Sequence, residues 1–208
     1  MKLVCLVFNW NTYLTAGIAA VAIAGDYLVT LCAAPFLKAL SDNLTHAVIG
    51  GLSWSICYFN RQKSLAETRH GFIEILSCTL LSSFIDLDHF LSAKSLSLKD
   101  ATALSRRPIF HCSTFALIIF IFLTLMSFMC ESAVIGRSAL IIFTAFATHH
   151  IRDAHRRGLW FYPYGSSAPI SYNLYIVITC LLPYGVMVME RMFRISQKSG
   201  VDDYSYVI

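Results

Sequence analysis

The sequence predicts an all-α protein, a polytopic membrane helix bundle of about six transmembrane helices, and three observations carry that prediction. The 208-residue chain is 57% hydrophobic and 13% charged, with a mean hydropathy of +0.63, which leaves too little polar surface to clothe a soluble globule. Its apolar residues fall in runs close to the length of a membrane helix, which needs about 20 residues at about 1.5 Å each to cross a hydrocarbon core of about 30 Å. Its charges sit between those runs.

The start, Met1-Lys2 and a short apolar run, is like the apolar part of a signal peptide, but Asn9-Trp10-Asn11 interrupts it, so it is expected to stay uncleaved. The first span covers 13–34 and holds one acid, Asp26. The second, 43–59, is charge-free, with His46 near its start and Ser41-Asp42-Asn43 expected to cap its first amides. The third, 71–91, and the fifth, 138–154, run into Asp86-Leu87-Asp88-His89 and His149-His150-Ile151-Arg152-Asp153. Ionisable groups at membrane depth are tolerated where they face a bundle interior and pair, so both count as spans. The fourth, 112–130, carries no charge; His111 is expected one turn inside that helix, after Arg106-Arg107-Pro108, because Pro suits a first helical turn. The sixth, 172–189, should kink at Pro183. Residues 1–190 therefore read as a single transmembrane helical domain and 191–208 as a short polar C-terminal tail.

Six spans place the loops after the first, third and fifth helices on one side. That parity collects Asp42, His46, Asp86, Asp88, His89, His111, His149, His150, Asp153 and His155 at one membrane face and leaves His70 opposite. Lys and Arg divide equally between the two faces, so the positive-inside rule gives no orientation. Trp10, Tyr13, Trp160, Phe161, Tyr162 and Tyr164 suit interfacial belts. The net charge of +4 forms no basic stripe, which argues against nucleic acid as a partner and leaves membrane lipids. Seven scattered cysteines without a C-x-x-C pair read as packing thiols.

Imidazole and carboxylate are the usual ligands of zinc and similar divalent ions, and a catalytic site needs about three of them with an open position for water. His149 and Asp153 are four apart and Asp86 and His89 three apart, spacings that put each pair on one helix face. With His46 and His111 they make a candidate metal set from four separate elements. Asp86, Asp88 and His111 are candidates for proton transfer, and Arg106 and Arg107 for holding a phosphate. The competing reading is that these groups cap helices and pair with Arg152 or Lys94. Asp26 either joins the cluster or, protonated, bonds a hydroxyl such as that of Thr30.

At these residues the chain resembles the vertebrate transmembrane protein 267 family, an uncharacterised multi-pass group. The likeness is carried by Leu40-Ser41-Asp42-Asn43 with His46 to Gly50, Ile85 to Phe90, Arg106-Arg107-Pro108 with His111 to Thr114, and His149 to Asp153 with Gly158-Leu159-Trp160. More distantly, Thr45-His46 with Gly50, Asp86-x-Asp88-His89 and His149 with Asp153 are similar to motifs of bacterial inner-membrane proteins predicted to be metal-dependent hydrolases. The middle motif departs from theirs. Where they have His-Arg-Gly-x-Thr-His-Ser, this chain has Arg106-Arg107-Pro108-Ile109-Phe110-His111-Cys112, which lacks the first His, the Thr and the Ser.

The resemblance implies metal-dependent hydrolase ancestry, and with the His, Asp and Arg constellation it leads to the expectation of a membrane hydrolase using a divalent metal, with zinc the first candidate, on a lipid-like ester or phosphoester. A non-catalytic scaffold presenting Tyr206-Val207-Ile208 is the alternative, and a proton or cation transporter with Asp26 as its deep step a third. Protein partners, organelle and substrate are not legible.

Overall fold

A computed structural model of the chain describes residues 10–61 and 71–204, with side chains of the last helix described to residue 193. The expectations for Cys5, His70, the signal-like start and the terminal Tyr206-Val207-Ile208 lie outside the described residues. The elements are α1 (Trp10–Leu31), α2 (Pro35–Asn60), α3 (Gly71–Phe84), α4 (Leu87–Ala93), α5 (Leu98–Thr102), a 3₁₀ turn (Ile109–His111), α6 (Ser113–Met129), α7 (Ala133–Arg157) and α8 (Tyr172–Tyr204). A small antiparallel hairpin, β1 (Trp160–Phe161) with β2 (Gly165–Ser166), lies between α7 and α8. Among the described residues three helical stretches, Trp10–Leu31, Ala133–Arg157 and Tyr172–Phe193, are long and apolar enough to cross a membrane, and Ser113–Met129 is apolar but shorter. The all-α architecture agrees with the sequence.

Several boundaries differ, each for a local reason. Helix α1 stops at Leu31. Helix α2 starts at Pro35, eight residues before 43, because proline's missing N–H and fixed φ suit a first helical position. Ser41, Asp42 and Asn43 therefore lie inside α2 and cap nothing, and His46 is about three turns into the helix rather than at its beginning. The third span is not one helix to residue 91: α3 ends at Phe84, Ile85 and Asp86 form a turn, and α4 follows. Asn43 Nδ2 donates to the Ser83 carbonyl at 2.8 Å at this break, and Ser83 Oγ donates to Asn43 Oδ1 at 2.6 Å. His111 is not inside a helix. It closes the 3₁₀ turn before α6, where Asp88 Oδ2 accepts the Phe110 N–H at 2.6 Å and Cys112 bridges to Trp160.

Helices α2 and α7 form the centre, with α1, α3 and α8 packed on α2 and α3, α6 and α8 on α7. One apolar cluster joins Trp54, Cys57, Cys78, Leu140, Ala145 and Val186, and a second joins Ile18, Ala22, Ile49, Ile56 and Tyr175. The α2–α3 approach depends on Gly50, since a Cβ there would overlap Ser82. Helix α7 opens on the Ser132 hydroxyl, which accepts the Ile135 N–H, and closes at Gly158, whose φ of +69° is one that glycine adopts freely. Among the described residues no cysteine is paired, and Cys57 and Cys78 are buried.

Farther along the same helices lies an ionic network that the sequence reading did not anticipate. Glu74 accepts from Trp54 Nε1 at 3.1 Å, from Arg61 Nη1 at 3.0 Å and from Arg137 Nη1 at 3.1 Å, and Arg61 Nε lies 2.7 Å from Glu190 Oε1. These groups come from α2, its C-terminal flank, α3, α7 and α8. Pairing is what makes their burial tolerable, because an unpaired charge in such a place costs several kcal/mol, roughly 3–5 when one partner is removed.

Candidate metal centre

The breaks at Phe84 and before Ser113 bring the polar ends of two short elements against α2 and α7. His46 projects from α2, Asp86 from the α3–α4 turn, His89 from α4, His111 from the 3₁₀ turn, and His149 and Asp153 from one face of α7. All six expected ligands meet, in three overlapping triplets: His46 with Asp86 and His149; Asp86 with His89 and His111; His111 with His149 and Asp153. Within each triplet one donor atom per residue lies within 4.8 Å of the others. His149 Nε2 is 3.2 Å from His111 Nε2, 3.5 Å from Asp86 Oδ1 and 3.8 Å from Asp153 Oδ2. His111 Nε2 is 3.4 Å from Asp86 Oδ1 and 3.6 Å from Asp153 Oδ2.

Hydrogen bonds behind these groups decide which atoms face inward. His149 Nδ1 is 2.9 Å from the Ser82 carbonyl, which can only accept, so Nδ1 carries the proton and Nε2 of the neutral ring presents its lone pair to the cluster. His89 Nδ1 meets the Ala101 carbonyl at 3.1 Å in the same way. His111 Nδ1 lies 3.2 Å from Asp88 Oδ1, an arrangement in which a carboxylate orients an imidazole from behind. Both oxygens of Asp88 are thereby engaged, one by His111 and the other by the Phe110 N–H. Asp88 thus acts on His111 and does not face the centre. Asn43 donates to Asp86 Oδ2 at 3.1 Å, turning Oδ1 inward. Asn43 is a positioning residue that its presumed capping role concealed.

His46 is 1% exposed and stacks on His149 with ring centroids 3.7 Å apart. Neither of its nitrogens has a hydrogen-bond partner among the described residues, and its nearest acid is Asp153 Oδ1 at 3.6 Å. A buried, unsatisfied imidazole is costly, and a shared cation is what this donor set fits. The carboxylates of Asp86 and Asp153, within 3.4–3.8 Å of His111 and His149, also favour positive charge there. Burial works against protonation of His111, yet hydrogen bonding to Asp86 and Asp88 and the field of Asp153 outweigh it and hold its pKa up at about 10. A small cavity of about 20 Å³ beside His89, His111, His150 and Asp153 has room for about one water.

Two further groups fall beside the centre. Asp26 does not bond Thr30, whose hydroxyl donates to the Tyr27 carbonyl; it accepts from the fully buried Arg152 at 2.8 Å. Arg152 also holds Asp42 at 2.5 Å, and Arg156 links Asp42 at 2.8 Å to Asp153 at 3.5 Å, so Asp26 is tied to the cluster through arginines. Of the phosphate-binding candidates, Arg107 donates to the Gly158 and Arg157 carbonyls and pins the approach to α6 onto the end of α7. Arg106 is exposed, on the wall of a larger cavity. Lys94 pairs with no acid among the described residues; at φ 52° it closes α4.

Fold and centre together define an all-α, multi-pass membrane protein with a histidine–aspartate cluster gathered from α2, the α3–α4 turn, α4, the 3₁₀ turn and α7. The protein named transmembrane protein 267 in Danio rerio is 40% identical over 202 residues, covering 92% of this chain and 87% of that one. Those of the same name from Xenopus laevis and Bos taurus are 42% and 43% identical over 152 residues, covering 71% and 72% of this chain and 66% and 67% of theirs. The chain belongs to the transmembrane protein 267 family. No family model matches it, and no solved structure does.

Proposed function

We propose that the cluster is a divalent metal centre, with zinc the first candidate, and that the protein is a membrane hydrolase of a lipid-like ester or phosphoester. The observation that carries this reading is the inward lone pair of His149 Nε2, fixed by the Ser82 carbonyl and facing His111 Nε2, Asp86 Oδ1 and Asp153 Oδ2. A bound divalent ion supplies Lewis acidity and acidifies water. Around it, His46, His149, Asp86 and Asp153 are the holding groups, with His89 and His111 within reach of the same position. Asp88 keeps His111 in the tautomer that serves the centre. A carboxylate oxygen of Asp86 or Asp153 left free by the ion accepts the proton of the attacking water, and Arg106 is the group left to draw in a phosphate. The motif likeness to bacterial predicted hydrolases belongs to this reading as a sign of ancestry.

The same reading takes α1, α2, α3, α6, α7 and α8 as six spans, which is supported by the way groups from α2, the ends of α3 and α6, and α7 meet at one level. Cysteines introduced at positions 46, 89, 111 and 149 should react from one side of a sealed vesicle only. Elemental analysis of detergent-purified protein should find about one divalent ion per chain, and a His149→Ala plus Asp153→Ala variant should lose it. Metal-free protein of undiminished stability would sink the proposal.

A further inference from the structure

Beside the metal centre, a cavity of about 840 Å³ opens between the first half of α2, the α3–α4 turn, α5 and the segment before His111. Asp86, His89, His111 and Asp153 are shared between this cavity and the centre, so whatever occupies it lies against the candidate ligands. Its volume is in the range of sites that enclose a whole small ligand, about 300–1,000 Å³, and is far larger than a lone anion requires.

Two chemistries line it. Phe36, Leu40, Phe84, Leu87 and Phe90 make apolar walls. Lys38, Arg106 and Arg157 line it as well, and among the described residues their side chains make no hydrogen bond or ion pair. The acids that face the cavity are otherwise engaged: Asp42 by Arg152 and Arg156, and Asp86 and Asp153 by the cluster. The unspent charge of the cavity is therefore positive. A soluble phosphate compound would leave the aromatic and leucine walls wet, and a neutral lipid would leave three cations without a counter-charge. An amphiphile that is anionic at one end matches both.

We propose that this cavity binds a membrane lipid with a terminal phosphate, its headgroup drawn to Lys38, Arg106 and Arg157 and its acyl portion laid along Phe36, Leu40, Phe84, Leu87 and Phe90. This rests on the hydrolase reading for its meaning, since it names the substrate class of that site. The binding itself needs no metal.

The test uses the full chain in neutral detergent after chelator treatment, so that neither metal nor turnover enters the readout. Affinities are measured by thermal shift for dihexanoyl phosphatidic acid, dihexanoyl phosphatidylcholine, dihexanoylglycerol and inorganic phosphate. Phosphatidic acid should bind at least about tenfold more tightly than each of the other three, and Lys38→Ala with Arg106→Ala should remove about tenfold of that affinity. Both positions are exposed, and unchanged circular dichroism of the variant checks its fold. Equal binding of phosphatidylcholine or dihexanoylglycerol overturns the headgroup assignment, equal binding of inorganic phosphate reduces the site to an anion site, and an unaffected variant removes the cations from it. Selective binding by a protein that takes up no metal would defeat the hydrolase reading alone. Metal-dependent turnover of an uncharged ester without phosphatidate selectivity would defeat the cavity assignment alone.

Discussion

At the scale of the residue, Asp88 and His111 show how a group removed from the centre sets its chemistry. Against the effect of burial, hydrogen bonding to Asp86 and Asp88 and the field of Asp153 push the His111 pKa up from the ordinary 6.5 to about 10, so the imidazolium is favoured by the folded state. The stabilisation it contributes is complete below about pH 6.5 and is lost as pH rises through 10. The thermal midpoint of the metal-free protein should therefore fall between pH 6.5 and 10. Asp88→Asn keeps an acceptor for the Phe110 N–H but removes a charge behind the ring, and should flatten that fall; an unchanged profile would mean that Asp88 does not govern His111. The candidate ligand types were legible because imidazoles and carboxylates are rare in apolar sequence and the spacing of four from His149 to Asp153 keeps both on one face of α7. The partners behind them were not legible. Ser82 serves through its carbonyl, which every residue has, and Asn43 resembled a helix cap because its neighbours Ser41 and Asp42 are capping types too.

At the scale of the element, close packing of α2 on α3 is what lets the Ser82 carbonyl reach His149. Gly50→Ala inserts a methyl where Ser82 already stands and should cost about 1–3 kcal/mol of stability. Metal content should drop with it, because α3 can retreat only by taking that carbonyl along. Adding Ser82→Ala removes the hydroxyl and should recover part of both, as unfolding and elemental analysis of the pair of variants would register. Hydropathy located the helices well where they are apolar on all sides, as in 112–130. The span 71–91 is carried through Asp86-Leu87-Asp88-His89 because ionisable groups can face a bundle interior, yet the backbone turns at Ile85 and Asp86, and a break held by tertiary hydrogen bonds has no sequence signal of its own. Hydropathy also placed the start of α2 too late, since Phe36-Leu37-Lys38 looks like loop until Pro35 is taken as a first helical residue.

At the scale of the whole molecule, two polar assemblies clamp one bundle: the His/Asp cluster with its Arg152 and Arg156 partners, and the Glu74 network farther along the helices. The first was expected from sequence. The second was not, because Arg61, Glu74, Arg137 and Glu190 lie far apart and each reads alone as a flanking charge. The described stretch of helix α3, Gly71–Phe84, caught between the two, is 14 residues long, about 21 Å of rise against a hydrocarbon thickness of about 30 Å. With α3 spanning, the surrounding lipid must thin locally to meet it, and the energetic cost of that hydrophobic mismatch grows with acyl length. The protein should accordingly unfold at a higher temperature in short-chain than in long-chain phosphatidylcholine bilayers. Equal midpoints across that series would mean that α3 does not meet the lipid as a full span.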